Sequence, residues 1–144
     1  MACARVYVGS RDVGENQLWF AAAKRLRYVP GVLDVVAHGD AHAIAVLDPD
    51  PLTADRFAVI LRENFTLSDF DEVRLLACWT GREDDGFAAR LCEAIRMPVL
   101  APRMPIMECN GRIAFPTLNA PQDFGLPVGY DHVTPAPFRR FQPR

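Results

Sequence analysis

The sequence predicts an α/β domain: a mostly parallel sheet with helices on both faces, followed by a C-terminal hairpin and an irregular tail. Three observations point there. Strand-like and helix-like segments alternate along the first hundred residues. The strand candidates are short continuous apolar runs rather than alternating ones, as expected when both sheet faces are covered. The chain has 144 residues, half of them hydrophobic and about a quarter charged, enough for one domain spanning 1–144 to bury a core without metal or disulfides.

Arg5 to Val8 is a β-branched and aromatic run closed by Gly9 and Ser10, and reads as a buried strand. Leu18, Trp19, Ala22, Ala23 and Leu26 then recur at helical spacing, with Lys24, Arg25 and Arg27 on the other side and Pro30-Gly31 as the stop. A second apolar run, Val32 to Ala37, ends at His38-Gly39, and a brief strand from Ala43 to Leu47 follows it as a hairpin partner or sheet extension. After the Asp48-Pro49-Asp50-Pro51 turn, Thr53 is placed to cap a helix. Leu52 can staple onto Phe57 there, and Phe57, Ile60 and Leu61 form the apolar face. A third run, Val73 to Ala77, ends at Cys78. Thr80-Gly81 turns the chain, and Asp84 or Asp85 caps a helix whose core face is Phe87, Ala88, Leu91 and Ile95. Val99 to Ala101 is a fourth strand.

Ile106 to Glu108 and Arg112 to Phe115 flank Cys109-Asn110-Gly111, and Asn-Gly is a strong hairpin signal. Residues 116–144 hold six of the twelve prolines and read as ordered irregular chain that wraps the domain, anchored by Phe124, Tyr130, Phe138 and Phe141. No repeat, low-complexity stretch or second domain is visible.

Composition excludes several function classes. Sixteen basic against eighteen acidic residues provide no surplus of positive charge for a nucleic-acid backbone. No apolar run approaches the ~20 residues of a membrane span, and the first residues do not read as a secretory leader. The four cysteines (Cys3, Cys78, Cys92, Cys109) form no Cys-x-x-Cys pair, and the three histidines complete no zinc pattern, so neither a metal nor another cofactor is expected. Reduced thiols acting in a cytosol are the simplest reading.

In a parallel sheet the chemistry lies at the carboxyl ends of the strands, where this sequence places His38 and Cys78. Attack on an amide carbonyl needs a thiolate, a base and backbone donors for the oxyanion. His38 supplies the base and Cys78 the nucleophile. The N–H groups of Gly39 and Cys78 can face the oxyanion, since glycine admits a substrate close to the backbone. The helix that follows Cys78 can lower its thiol pKa, although Asp84 and Asp85 oppose this. A strand-end cysteine alone is ordinarily a small core residue, and a lone His-Gly is ordinarily a turn. The two together, forty residues apart with one helix between, carry the catalytic reading.

An apolar block ending in His38-Gly39 and another ending in Ala77-Cys78 resemble the caspase–clostripain–gingipain group of cysteine peptidases. The stretches Leu-Leu-Ala-Cys-Trp-Thr-Gly, Asp-Gly-Phe-Ala-Ala-Arg-Leu and Met-Pro-Val-Leu-Ala-Pro are similar to small caspase-like domains at the C-termini of large bacterial polymorphic toxins. The resemblance covers about residues 32 to 106. It implies a caspase-like fold and a thiol protease working through Cys78 and His38, with Gly39 in the oxyanion hole. It also implies a toxin or effector delivered as part of a larger secreted protein, a protein or peptide substrate, and an immunity protein as partner. In caspases an arginine after the first strand binds an acidic substrate residue, and here Arg11 occupies that segment. Asp12 and Glu15 would instead favour a basic one, as in the clostripain branch. The sequence departs from the caspase pattern at Leu76, where glutamine is common, and at Trp79 directly after the cysteine.

The same dyad would serve a side-chain amidase or an acyl transferase, and a caspase-like domain that only binds a partner is the non-enzymatic alternative. Of the remaining candidates, His42 reads as an exposed loop residue, Asp131-His132 as a surface pair, Cys92 as core, Cys109 as a hairpin-tip thiol and Arg139-Arg140 as a solvated tail.

Overall fold

The computed structural model describes residues 2–114 and 138–144. Phe115, the Phe124 and Tyr130 anchors and the Asp131-His132 pair lie outside them. A five-stranded sheet organises the described residues, in the order β1 (Ala4–Tyr7), β2 (Val32–Val36), β5 (Glu72–Leu76), β6 (Val99–Pro102), β9 (Phe138–Phe141). The first four strands run parallel and β9 closes the edge antiparallel to β6. The short strands β3 (Ala43–Ile44) and β4 (Leu52–Thr53) form a separate ladder, as do β7 (Met107–Cys109) and β8 (Arg112–Ala114). Three α-helices are present among the described residues: α1 (Gly14–Ala23), α2 (Ala54–Asn64) and α3 (Phe87–Ile95).

The helices divide between the two sheet faces, as the continuous apolar strands require. Leu33, Val35, Ala37, Val73, Leu75, Ala77 and Val99 face α2 and α3, where they meet Phe57, Leu61, Phe87 and Leu91 in one cluster. The alternate positions Val36 and Leu76 face α1 and the β7–β8 hairpin, meeting Trp19, Phe20, Leu26, Ile106 and Ile113. Thr53 caps α2 by accepting the Arg56 N–H at 3.4 Å, and Leu52 packs on the cluster that contains Phe57.

Several local expectations are corrected. Leu18 is 60% exposed, and α1 buries Asn16, Trp19, Phe20, Ala22 and Ala23 instead. The helix ends at Ala23, well before Pro30, because the next residues fold into a tight turn (Arg25 N–H to Ala22 O and Leu26 N–H to Ala23 O). Ile60 lies at the exposed margin of α2, while Ala54 and Ala58 complete its buried face. The brief strand stops at Ile44, because Ala45 takes a left-handed φ of 55° that turns the chain out of the ladder.

The expected caps of α3, Asp84 and Asp85, do not cap it; its N-cap is Gly86 and no side chain bonds there. Main-chain carbonyls do the work: Phe87 N–H donates to Ala41 O at 2.8 Å and Ala88 N–H to Thr80 O at 3.0 Å. A Cβ at Gly86 would lie 2.5 Å from Ala41 O, so this seating admits only glycine. Asp84 instead pairs with Arg139 at 2.6 Å. Arg139 and Arg140 are thus not a solvated tail: they belong to edge strand β9, where Arg140 pairs with Glu72. Charged side chains on a sheet edge oppose further strand pairing.

The runs read as apolar carry a buried ion triad. Arg5, Asp34 and Arg74 stand side by side on β1, β2 and β5. Asp34 accepts two bonds from Arg5 (3.0 and 3.1 Å) and two from Arg74 (2.7 and 3.1 Å). All three side chains are at most 5% exposed. Arg5 also donates to Ala23 O at 2.7 Å, which fixes the end of α1 to the sheet.

Candidate active site

Strand register brings His38 and Cys78 together. Every β2 residue faces the β5 residue forty positions later, from Val32↔Glu72 to Val36↔Leu76, and Ala37 N–H extends the ladder to Leu76 O at 3.2 Å. His38 and Cys78 have the same separation and follow directly. Two residues beyond Val36 and Leu76, they share the sheet face covered by α1. Cys78 packs on the Trp19 cluster, and the His38 ring lies 6.4 Å from the Trp19 ring. Both line one cleft of about 320 Å³, with Glu15, Leu18, Ile106 and Glu108 among its walls.

Trp19 fixes the floor. Its indole Nε1–H is shared between Ala37 O at 2.9 Å, directly before His38, and Leu76 O at 3.0 Å, two residues before Cys78. The corner at Cys78 is tight. Trp79 takes a left-handed φ of 63°, a conformation that costs a non-glycine residue roughly 1–2 kcal/mol. Thr80 Oγ1–H then donates back to Ala77 O at 2.8 Å. Gly39 lies against this corner. A Cβ there would meet Thr80 Cγ2 at 3.0 Å and both Ala77 Cβ and Cys78 O at 3.1 Å.

Neither functional group bonds to the other in this state. The Cys78 thiol donates to Ile106 O at 2.9 Å, and Sγ accepts Ile106 N–H at 3.3 Å. Burial pushes the thiol pKa up, with the Ile106 and Cys78 backbone N–H groups opposing it. The sequence expectation of a lowered pKa is corrected: the first N–H groups of α3 are already spent on Ala41 and Thr80 and do not serve the sulfur. His38 Nε2 lies 3.0 Å from Glu15 O. A carbonyl can only accept, so Nε2 carries the proton and Nδ1 holds the lone pair.

Glu15 is fixed by its neighbour Asn16, which is fully buried. Asn16 Nδ2 donates to Ser10 O at 2.9 Å and to Asp48 Oδ1 at 3.1 Å, and Ser10 N–H donates to Asp48 Oδ2 at 2.7 Å. These contacts tie the end of β1, the first turn of α1 and the loop before β4 into one unit behind His38.

Arg11 does not reach the cleft. It is exposed and lines a separate cleft of about 250 Å³ with Tyr7, Gln17, Phe20 and Lys24. The reason is its place in the turn before α1, where its side chain falls on the Tyr7, Phe20 and Lys24 side of that helix rather than on the Glu15 and Trp19 side. His42 is exposed and does not line the site; its N–H, with that of Ala43, is held by Asp40 Oδ1 at 2.8 Å. Cys92 is core and Cys3 is exposed. The β7 and β8 strands pair on either side of Asn110-Gly111, both at positive φ (53° and 78°). Among the described residues no group of three or more His, Cys, Asp or Glu side chains could hold a metal, and no helix is long and apolar enough to cross a membrane.

Sequence reasoning missed the walls of the cleft. Leu18 was available as a signal, because it falls off the buried stripe once Asn16 is counted as core. Ile106 was not, because its contact with Cys78 is made through the main chain.

No curated protein matches the chain. A family model matches residues 11–114, which include Cys78, His38, α1 and both cleft walls. That span is well over half of the sequence, so the chain belongs to DUF8616, a family whose domain has no known function.

Proposed function

We propose that the chain is a caspase-like cysteine hydrolase, most simply an endopeptidase of the toxin or effector kind, with Cys78 as nucleophile and His38 as base. The observation that carries this reading is the shared register of the two residues at one strand end and in one cleft. Substrate enters against Trp19. His38 Nδ1 takes the Sγ proton, while Nε2–H stays on Glu15 O and keeps the imidazole in the competent tautomer. The Sγ–C bond forms, and the carbonyl electrons move to an oxyanion faced by the N–H groups of Gly39 and Cys78. On collapse the C–N bond breaks, and the amine leaves with the proton from Nδ1. Water, deprotonated by the same nitrogen, then cleaves the thioester and frees Cys78.

The cleft walls bear on the substrate. Glu15 and Glu108 flank it, and among the described residues no lysine or arginine lines it. An acidic substrate residue held by Arg11 is therefore not supported. A side chain with an apolar stem fits the Leu18 and Trp19 surface of α1. The same acyl-enzyme would serve side-chain amide hydrolysis or acyl transfer, and a protein substrate and an immunity protein belong to this proposal as partners.

Mixing the protein with an amide-mimicking acyloxymethyl ketone peptide tests the reading. A covalent adduct on Cys78, lost in His38→Ala and undetectable on Cys3, is expected. Equal modification of Cys3 and Cys78, unchanged in His38→Ala, would overturn it.

A further inference from the structure

From Pro102, the last residue of β6, the chain runs along the Cys78 corner as a ladder. Gly81 N–H donates to Pro102 O at 2.8 Å and Trp79 N–H to Met104 O at 3.4 Å. Cys78 Sγ–H donates to Ile106 O at 2.9 Å. The three carbonyls belong to alternate residues, as along an extended strand, and the last rung falls on the proposed nucleophile.

From this ladder we infer that the segment 103–106 and its β7–β8 hairpin form a built-in latch over Cys78, which an extended substrate main chain must displace before the thiol can react. The inference rests on Cys78 being the nucleophile. Its basis is steric and electrostatic competition for one position. An attacking sulfur needs its target carbonyl about 3–3.5 Å away, and the Ile106 carbonyl oxygen already lies 2.9 Å from Sγ. Both carbonyls cannot occupy that space. The Ile106 oxygen also accepts the thiol proton, so removing that proton would leave an anion against an oxygen lone pair. The Ile106 N–H alone suits the thiolate.

The latch is built to open. A two-stranded ladder of three residues a side is marginal by itself, and the segment is anchored on the α1 face by Ile106 and Ile113, at 2% and 1% exposure, with Met104 partly buried beside them. The turn is held by Gly111 N–H donating to Glu108 Oε1 at 2.6 Å. Gly111 lies over Arg25, where a Cβ would stand 3.3 Å from Nη1. Displacing the hairpin leaves Trp19, and hence the floor of the cleft, bonded to β2 and β5. A substrate strand entering the vacated place meets the same rungs that Met104 and Ile106 now fill.

Iodoacetamide labelling at one pH, resolved cysteine by cysteine by mass spectrometry, tests this on the full chain. Ile113→Ala loosens the hairpin without touching Cys78, and Gly111→Ala strains its turn at a second point. Hydrogen exchange over residues 104–114 confirms the loosening. Exposed Cys3 is the reference thiol, and buried Cys92 reports any loss of the fold. Cys78 should label at least tenfold faster in both variants, with Cys3 unchanged and Cys92 protected. Faster hairpin exchange with a Cys78 rate within twofold of wild type would overturn the latch. So would acceleration only in step with Cys92. Adding His38→Ala separates the two ideas. Acceleration that His38→Ala leaves untouched keeps the latch and removes the dyad; slowing by His38→Ala without acceleration in the loosened variants does the reverse.

Discussion

Replacing Asp34 with alanine tests how the sheet supports the site. Asp34 binds two guanidinium groups through four hydrogen bonds of 2.7–3.1 Å, with the three side chains at most 5% exposed. The alanine variant leaves two cations facing each other across β2 in a dry interior. Breaking a buried pair by removing one partner costs about 3–5 kcal/mol. At this chain length roughly 3–4 °C of melting temperature is lost per kcal/mol, so a fall of about 10–15 °C is expected. The contrast is Glu93→Ala at the Arg96 pair, whose side chains are 42% and 59% exposed; such pairs contribute under about 1 kcal/mol. Thermal melts followed by circular dichroism give both numbers side by side. A fall below about 3 °C for Asp34→Ala, level with Glu93→Ala, would refute the reasoning, because it would mean that water reaches the triad.

Gly39→Ala should reduce adduct formation at Cys78 at least tenfold, while overpacking costs about 1–3 kcal/mol of stability, because its Cβ would press on Cys78 O and Thr80. Trp19→Phe removes the donor shared by Ala37 O and Leu76 O; chemical denaturation should show a loss of about 1–2 kcal/mol, with weaker labelling selectivity for Cys78. Alkylation of Cys78 should rise with pH to a midpoint above the ordinary thiol value, since burial raises its thiol pKa and leaves less thiolate at neutral pH. In a peptide library, residues with an apolar stem should be preferred over acidic ones and Arg11→Ala should change nothing, whereas an acidic preference lost in Arg11→Ala would restore the discarded role.

Legibility from sequence followed the kind of interaction involved. The parallel strands are readable because Val32–Val36, apart from Asp34, and Val99–Ala101 are apolar, and so is Thr53, whose capping depends on a local pattern. The adjacency of His38 and Cys78 followed from one helix between two strands. Asp34 and Arg74 carry no signal within runs that read as apolar, because each finds its partner only across the sheet. The cap of α3 was misassigned to Asp84 because Ala41 and Thr80 satisfy that helix end through main-chain carbonyls, which leave no residue signature. Arg139 and Arg140 looked like a solvated tail because a strand of four residues gains its identity from pairing with β6. The placement of Arg11 failed for a similar reason: sequence located the sheet edge, but not the direction in which the turn before α1 carries the side chain.

The most direct test of the central claim is the set of protein N-termini that appears in cells expressing the chain, compared with Cys78→Ala at equal abundance. The account predicts new N-termini and growth inhibition with the wild type only, at sites sharing an apolar-stemmed residue before the cut. New side-chain deamidation without new termini would move the same dyad to the amidase reading. Identical termini and identical toxicity with and without the Cys78 sulfur would contradict the account.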